Sequence, residues 1–418
     1  MTNEKKSLVK EPSQPVFETS LLFEPQAFWG MLALLALAVW FSFWPLLLVS
    51  LFLLLLFALI TGWKKASLKA VVPTFSLQSN RIFAGNFFHW TATLHNGKWL
   101  PLVWAEWTFA DSEGLQLATD HPDLRTLRFL WIMWHGEASW TEKGKAVRRG
   151  VYDLGNIQLI SGDGFRFSEN VNRWQLPGEI YVYPQILPVQ IQKLQLPRQW
   201  SAEGPKGGIF EDPLLLRGVR EYIAGDELRR VNWKASARAG KLHTSLFQTV
   251  VSKELMFFID VAGFSMGPMG MVDEHEEVKA WRQRQLDFEA YLSLIASMAM
   301  QHHRNSTRLG FMSNALDHRD RPMEAVAPRS DYHPFMDSLA KMTEITASGQ
   351  NVTPDRLLHS QEVRTPLYLC CREITLEHYE WVKRRRRQFP ELRVFYQKES
   401  PYSALLPDLC QSLNSIRQ

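Results

Sequence analysis

The chain has little cysteine and little net charge. It contains three Cys in 418 residues, and its formal net charge is +4. No two Cys have the C-x-x-C spacing of a thiolate zinc site, so we interpret Cys370, Cys371 and Cys410 as reduced thiols in a reducing compartment. The small net charge excludes a globally basic nucleic-acid coat, although a local basic patch stays possible.

A second absence is local, because no charged residue occurs from Phe28 to Trp63. One helix over this segment would be about 54 Å long, whereas a bilayer core of about 30 Å needs only about 20 residues. Pro45 offers a break, since proline lacks the backbone N–H and suits the first turn of a helix. The segment therefore predicts a transmembrane helical hairpin within 27–63, with helices over 27–43 and 45–62.

Lysines flank both outer ends of this hairpin, and the turn between the helices has none. They are Lys5, Lys6, Lys10, Lys64, Lys65 and Lys69. Positive charge next to a span favours the cytoplasmic side, so residues 1–26 are predicted to be a cytoplasmic tail and the soluble domains to face the cytoplasm. A signal peptide is the competing interpretation, but the apolar region is too long and lacks a small-residue cleavage site.

The rest of the chain has the composition of a globular protein of two or three domains, with 46% hydrophobic and 22% charged residues. Short β runs separated by turn signals predict a β-sandwich over 70–200. Alternating strands and helices then predict an α/β domain with a parallel sheet over 251–418, including a helix near 332–346. Residues 201–250 form a connector, in which we interpret 204–208 as a flexible linker and not a phosphate loop.

Tryptophan is concentrated within the predicted β-sandwich, because residues 90–174 hold half of the 16 Trp. They are Trp90, Trp99, Trp104, Trp107, Trp131, Trp134, Trp140 and Trp174. Large aromatic side chains in such a region mostly pack in the core, so we predict core positions for them and no ligand cage.

Asp260 ends a predicted buried strand, at the edge where open α/β sheets place their sites. The D-x-S-x-S metal site of von Willebrand factor A-like domains places an Asp and two hydroxyls around Mg²⁺ at this position. Here Ala262 and Phe264 replace the hydroxyl residues, and Arg372 follows a later strand. We therefore interpret Asp260 as a hydrogen-bonding residue at a degenerate metal-site position, and we expect no metal and no cofactor.

The other candidate motifs give no support for an enzymatic function. The pair His302 and His303 lies near a predicted helix end, where an interaction with the helix dipole is the simplest interpretation. No G-x-S-x-G elbow occurs, and no nucleophile–base pair is recognisable from spacing.

A basic run occupies the end of a predicted helix over 375–388. It consists of Lys383, Arg384, Arg385, Arg386 and Arg387. Its position suits a solvated face and the helix dipole, with an acidic partner, anionic lipid or nucleic acid as alternatives.

The densest charge of the chain lies in RGVREYIAGDELRRVNWKASAR, residues 217–238. Asp226 is predicted to cap a helix over 227–238 that ends at Gly240. Asp226 is further expected to pair with Arg229 or Arg238.

Two faces are expected on this helix. Leu228, Val231 and Ala235 share an apolar face, and Arg230, Lys234 and Arg238 share a cationic face. Trp233 is expected to pack between domains. Two roles stay open for the segment, which either joins the domains or docks a partner.

The same segment carries a specific pattern. Its fixed positions are Arg220, Tyr222, Gly225, Asp226, Arg229, Val231, Trp233, Ser236, Ala237 and Arg238. This pattern resembles the signature of the domain of unknown function 58 family, R-x-Y-x-x-G-D-x-x-R-x-I-x-W-x-x-S-A-R, with Val231 in place of Ile. The run Ser161-Gly-Asp-Gly-Phe165 is similar to the family's S-x-D-P-F element.

The resemblance implies a bacterial inner-membrane accessory or scaffold protein with a von Willebrand factor A-like C-terminal domain. It implies a MoxR-type AAA+ ATPase as partner in the assembly or maturation of protein complexes, with other von Willebrand factor A proteins and membrane lipids as further partners. The family has no established catalytic residues to transfer. The alternatives are a membrane-linked enzyme of envelope metabolism and a binder of anionic lipid or, less expected, nucleic acid.

Overall fold

A computed structural model defines the fold. It describes residues 25–109, 114–119, 121, 124–162, 169–191, 210–223, 226–250, 253–265, 274–347, 365–389 and 391–417. Residues 1–24 of the predicted tail, the linker at 204–208, Gly225 and residues 163–165 lie outside this description. The architecture is mixed α/β with several sheets, and the chain divides into two compact units, Met1–Gln185 and Ile186–Gln418.

The N-terminal unit begins with two apolar helices, α1 (Pro25–Trp40) and α2 (Trp44–Ser67). Pro45 lies in the first turn of α2, as expected from its missing N–H. Among the described residues, α2 is the one helix long and apolar enough to cross a membrane by length and composition. The 16 residues of α1 span about 24 Å, which is shorter than a bilayer core, so two full spans are not confirmed.

The described part of the N-terminal unit continues with eleven strands. They are β1 (Val71–Leu77), β2 (Arg81–Phe83), β3 (Phe87–Asn96), β4 (Leu102–Phe109), β5 (Leu115–Gln116), β6 (Thr126–Ile132), β7 (Glu137–Ala146), β8 (Gly150–Asp153), β9 (Asn156–Gly162), β10 (Glu169–Gln175) and β11 (Glu179–Tyr183). Two four-stranded sheets have the orders β1-β3-β7-β5 and β10-β9-β4-β6, and a smaller sheet has the order β2-β11-β8. Every pair in the two larger sheets is antiparallel.

Buried side chains of both larger sheets form one hydrophobic core. Its centre contains Trp90 of β3 and Trp107 of β4, whose side chains are fully buried and lie near the ring of Phe109. Alternation of buried and exposed residues along β3 explains this, because successive strand residues point to opposite faces. The prediction that Trp is mostly core is correct for Trp90, Trp104 and Trp107.

The prediction is wrong for a second group of tryptophans, whose side chains are exposed. They are Trp99, Trp131, Trp134 and, more weakly, Trp140. Trp99 lies in the turn between β3 and β4, and Trp134 lies in the turn between β6 and β7.

The C-terminal unit contains four described α-helices and ten strands. They are β12 (Phe210–Glu221), α3 (Trp233–Ala239), β13 (His243–Val250), β14 (Lys253–Ile259), α4 (Glu274–Arg304), β15 (Thr307–Ser313), β16 (Ala315–Asp317), β17 (Val326–Arg329), α5 (His333–Lys341), β18 (Met342–Thr346), β19 (Leu367–Cys371), α6 (Leu376–Arg385), β20 (Leu392–Tyr396) and β21 (Cys410–Ser412).

A six-stranded sheet has the order β17-β15-β14-β19-β20-β21. All its pairs are parallel except the edge pair of β15 with β17. Taken in chain order, its strands are arranged 3-2-1-4-5-6, and the order reverses between β14 and β19. The carboxyl end of β14 therefore lies at the topological switch point, where open α/β sheets bind ligands.

Most predicted elements of this unit occur, and one is wrong. The predicted helix over 332–346 ends at Lys341, and Met342–Thr346 forms β18, which pairs with β16. The β-branched Thr343, Ile345 and Thr346 favour an extended chain over helix at this point.

The cysteines of β19 are fully buried, and burial raises the pKa values of Cys370 and Cys371. Burial also raises the pKa of Cys410 to about 11. Raised pKa values keep these groups as unreactive thiols, in agreement with the interpretation as reduced thiols.

Candidate functional site

The signature segment folds around the carboxylate of Asp226. Its Oδ1 atom accepts from the Arg220 guanidinium at 2.7 Å, and its Oδ2 atom accepts from the backbone N–H of Ile223 at 3.1 Å and the hydroxyl of Thr244 at 3.2 Å. The Tyr222 hydroxyl donates to the Asp226 carbonyl at 3.3 Å. The N–H of Ile223, with Arg220 and Thr244, lowers the pKa of Asp226.

Asp226 therefore closes a turn. The prediction that it caps a helix over 227–238 is wrong. Asp226 pairs with Arg220 at the end of β12, and not with Arg229 or Arg238. A short 3₁₀ turn over Leu228–Arg230 follows, and α3 begins only at Trp233. The missed cap is Asn232, whose Oδ1 atom accepts from the Ala235 N–H at 3.0 Å.

The short helix α3 is attached to β13 by polar and apolar contacts. The Ser236 hydroxyl donates to the Asn232 carbonyl at 2.8 Å and accepts from the His243 N–H at 2.9 Å. Val231 is buried and forms a β-bridge with Thr244. Gly240 ends the helix with φ 69°, a left-handed conformation that glycine adopts at low cost, so this part of the prediction is confirmed.

The opposite side of the segment is exposed. Leu228 and Trp233 are each 69% exposed. The side chains of Arg229, Lys234 and Arg238 are exposed beside them. We call these five residues the signature face.

The packing of Trp233 between domains stays a prediction. A further expectation about this segment is wrong. Leu228 does not share a buried face with Val231, because the 3₁₀ turn changes the direction of the chain between them. Arg230 pairs with Glu227 at 3.3 Å and is partly buried.

A second polar cluster occupies the carboxyl end of β14. Asp260 is 3% exposed, and its Oδ1 atom accepts from the Ala262 N–H at 2.9 Å and from the Asn314 amide at 2.6 Å. The Nε2 atom of His378 lies 3.4 Å from the Asp260 Oδ2 atom, at ion-pair distance although not aligned as a hydrogen bond. Tyr291 of α4 donates its hydroxyl to the Asp260 carbonyl at 3.1 Å.

This cluster does not fit a Mg²⁺ site. Mg²⁺ needs oxygen ligands, yet the Asp260 carboxylate oxygens face N–H groups of Ala262, Asn314 and His378. Among the residues that the structure describes, no group of three or more His, Cys, Asp and Glu side chains could hold a metal. The interpretation of Asp260 as a hydrogen-bonding residue is correct.

Arg372 closes the same edge of the sheet. Its guanidinium donates to the Gly263 carbonyl at 2.8 Å and lies 3.5 Å from the Asp287 carboxylate of α4. It also lies 5.4 Å from the centre of the Phe264 ring. A cation thus takes part in holding the loop after β14.

The basic run ends α6 and continues into a 3₁₀ turn over Arg386–Gln388. Lys383, Arg384, Arg386 and Arg387 are exposed. Arg386 also lines a polar pocket of about 520 Å³ at the amino-terminal end of β20 and β21, far along the strands from Asp260. Most side chains of the basic run are therefore exposed to solvent.

His302 differs from the expectation for a helix-end cation. It is 1% exposed and its ring lies 5.3 Å from that of Tyr368. Burial, with a smaller effect of the Arg393 charge, lowers the pKa of His302 to about 4. A stabilising interaction with the helix dipole would raise the pKa, so that interpretation is wrong.

Acid is expected to destabilise the C-terminal unit through His302. Its folded pKa of about 4 lies below the ordinary 6.5, so the unfolded chain binds the proton first. The His302 contribution is complete above pH 6.5 and decreases by up to roughly 3 kcal/mol as the pH falls towards 4.

Urea unfolding of the detergent-solubilised chain at about pH 7.5, above this titration, and at about pH 4.5, within it, measures the effect. The His302→Phe variant should lose most of the decrease, whereas His303→Gln should keep it. An unchanged pH dependence in His302→Phe would contradict the assignment.

Comparison with known proteins addresses the signature directly. Residues 218–321 match the model of the family described as protein of unknown function DUF58. The chain carries a DUF58 region. The resemblance found in the sequence is thereby confirmed, and the matched DUF58 residues include the signature face, Asp260 and Asn314.

A relative supports the same family. The chain is 26% identical over 204 residues to the uncharacterized protein YeaD of Bacillus subtilis. The aligned segment covers 47% of this chain and 50% of YeaD. The chain thus spans about half the length of that curated relative.

Solved structures add no argument. The CARDB domain of the PF1109 protein of Pyrococcus furiosus has a TM-score of 0.20 and 9% identity, over 27% of this chain and 91% of its own. The bacterial hydrophobin BslA has a TM-score of 0.16 and 14% identity, over 26% of this chain and 96% of its own.

The sequence did not indicate several residues of these two clusters, Thr244 and Tyr291 among them. Asn232 precedes α3, Asn314 follows β15, and His378 lies in the first turn of α6. A polar residue directly after a parallel strand was a usable signal for Asn314. No signal along the chain joins His378 to Asp260, because only the packing of α6 on the sheet brings them together.

Proposed function

We propose that the protein is a membrane-anchored accessory or scaffold protein that works with a MoxR-type AAA+ ATPase in the assembly or maturation of protein complexes. The observation that carries this proposal is the signature face. Its residues lie on a segment whose internal hydrogen bonds involve the DUF58 signature residues Arg220, Asp226 and Ser236. The signature therefore has an architectural side and a docking side.

The chemistry of the signature face suits a protein partner. Trp and Arg are enriched at the energetic centres of protein interfaces, and an exposed Trp gives large contact area with little loss of side-chain entropy. Trp233 is flanked on α3 by Lys234 and preceded by Arg229, so the face is both apolar and cationic. An acidic surface with an apolar pocket is the complementary partner, and the resemblance implies that the ATPase supplies it.

The proposed anchoring uses both N-terminal helices. In this proposal α1 and α2 form a hairpin in the bacterial inner membrane, with the soluble units facing the cytoplasm. Support comes from the Phe28 and Phe57 rings, which lie 5.7 Å apart, and from the Lys residues at the outer ends. The 24 residues of α2 are sufficient for one crossing, and a thinned bilayer or flanking residues would accommodate the shorter α1.

We further propose that the two larger antiparallel sheets form a β-sandwich and that the six-stranded sheet is von Willebrand factor A-like. A shared hydrophobic core supports the first assignment, and the strand order 3-2-1-4-5-6 supports the second. The polar cluster around Asp260 then replaces a metal-dependent ligand site. Docking through the signature face does not need that metal.

Charge reversal at Arg229→Glu with Lys234→Glu, and separately Trp233→Ala, is expected to weaken ATPase binding by about tenfold or more. Neither change should alter the melting temperature, since all three side chains are exposed. Binding is measured between the full chain in lipid nanodiscs and a purified MoxR-type ATPase from the same organism, with ATP bound.

The matched control reverses two exposed cations of the basic run, Lys383→Glu with Arg384→Glu. It carries the same change in charge at a different surface. Equal losses in both double variants would indicate only general electrostatic attraction. No binding by the unaltered chain would reject the ATPase as partner.

A further inference from the structure

Exposed apolar side chains cluster on two neighbouring turns of the N-terminal unit. Trp99 lies between β3 and β4, and Trp134 lies between β6 and β7. They are 77% and 50% exposed, and their rings stack with centres 5.7 Å apart. With Leu130, Trp131 and Met133, which are also exposed, they form what we call the aromatic patch.

Hydrogen bonds from one buried side chain hold the two turns in place. The amide of the fully buried Asn96 donates to the carbonyls of Leu100 at 3.0 Å and Met133 at 3.0 Å, and so joins one turn to the other. Trp131 has φ 54°, which a bulky side chain rarely adopts. A residue in this sparsely populated region commonly marks a function, and here it places an indole in solvent.

The patch lies beside the end of α2. Lys98, the residue before Trp99, donates its ammonium group to the carbonyl of Ser67, the last residue of α2. One residue earlier, the Gly97 N–H donates to the Ala70 carbonyl at 2.9 Å. Burial lowers the pKa of Lys98 to about 8, as expected of a group with reduced access to water.

The chemistry of the patch matches a lipid headgroup region. Trp is enriched at both membrane–water interfaces, where the apolar ring and the polar N–H are each satisfied. Lys65 and Lys69 are exposed at the same end of α2, where cations attract anionic headgroups. An exposed apolar patch in water favours aggregation, whereas a patch next to a membrane helix can contact lipid.

We propose that the aromatic patch inserts into the headgroup region of the bilayer that α2 enters, and so fixes the N-terminal unit against the membrane surface. This inference rests on the proposed anchoring through α2. The occupant is lipid because the patch continues from the end of the helix that crosses the bilayer.

The test uses the full chain in vesicles of phosphatidylcholine and phosphatidylglycerol with brominated acyl chains. A bimane fluorophore is attached to Trp99→Cys or Trp134→Cys, in a background with Cys410→Ala. Cys370 and Cys371 are fully buried and do not need replacement. Met133→Cys supplies another probe that leaves the stacked Trp pair intact.

Two control positions separate this inference from the proposed anchoring. Leu55→Cys lies within α2 and is exposed on its surface, so it reports whether the helix enters lipid. Phe87→Cys is 49% exposed at the other end of the 10-residue strand β3, about 30 Å from Asn96. It reports a water-facing position of the same unit.

We expect bromine near the glycerol backbone to reduce emission at 99, 133 and 134 by at least about twofold, as for interfacial side chains, and to leave 87 unchanged. Bromine deep in the chains should quench 55. If 55 is quenched while the patch positions behave like 87, the patch faces water or a protein, and this inference is overturned while anchoring stands. If 55 is not quenched by any lipid, both proposals are overturned.

Discussion

Replacing Asp260 with Ala is expected to destabilise the C-terminal unit by about 3 kcal/mol or more. The change leaves the buried His378 imidazole and the Asn314 amide facing a cavity without their carboxylate. It also removes the acceptor of the Ala262 N–H, and an unsatisfied buried donor costs about 1–3 kcal/mol. The carboxyl end of β14 thus depends on this buried polar cluster.

Urea unfolding of the full chain in detergent measures this effect, with hydrogen exchange of the β14 and β19 amides reporting on the C-terminal unit. Asp260→Asn should cost less, because it keeps an acceptor for the Ala262 N–H. The control is Asp287→Ala, whose carboxylate pairs with Arg372 but is 32% exposed, so its loss should cost under about 1 kcal/mol.

A double variant tests whether the cluster acts as a unit. The loss of unfolding free energy in the Asp260→Ala, His378→Phe double variant should be smaller than the sum of the losses in the two single variants. The reason is that removing the imidazole also removes a buried polar group left without its partner. Additive effects, or a loss at Asp260 no larger than at Asp287, would show that the contacts around Asp260 contribute little.

Replacing Asp226 with Ala is expected to open the signature turn. The Ile223 amide loses its acceptor, and Arg220 and Thr244 lose theirs. Hydrogen exchange at Ile223 and along the α3–β13 attachment should accelerate by at least about tenfold, because this segment has few other buried contacts. ATPase binding should also weaken, because the turn positions the signature face.

The Trp233→Ala variant separates loss of partner binding from opening of the turn. That variant should weaken binding without changing hydrogen exchange, since its side chain is exposed and makes no part of the turn. Glu227→Ala is the control for Asp226, because Glu227 is an exposed neighbour that pairs only with Arg230 among the contacts described for the segment. Unchanged exchange in Asp226→Ala would contradict the architectural role.

The sequence alone determined the features that depend on local pattern. The uncharged segment located α1 and α2, and apolar runs located β14 and β19, because burial on both faces requires continuous apolar residues. The spacing of the signature identified the DUF58 region, and Gly240 marked the end of α3. Each of these depends on residues close together along the chain.

Tertiary structure decided which side of each element meets protein. Asp226 bonds Thr244 across the sheet instead of capping a helix, and His302 lies buried against Tyr368. Trp90 is core while Trp99 is exposed, although both are tryptophans of one β-rich unit. The physical reason is that burial and polar pairing depend on partners distant in sequence, and only the packed sheets and helices bring those partners into contact.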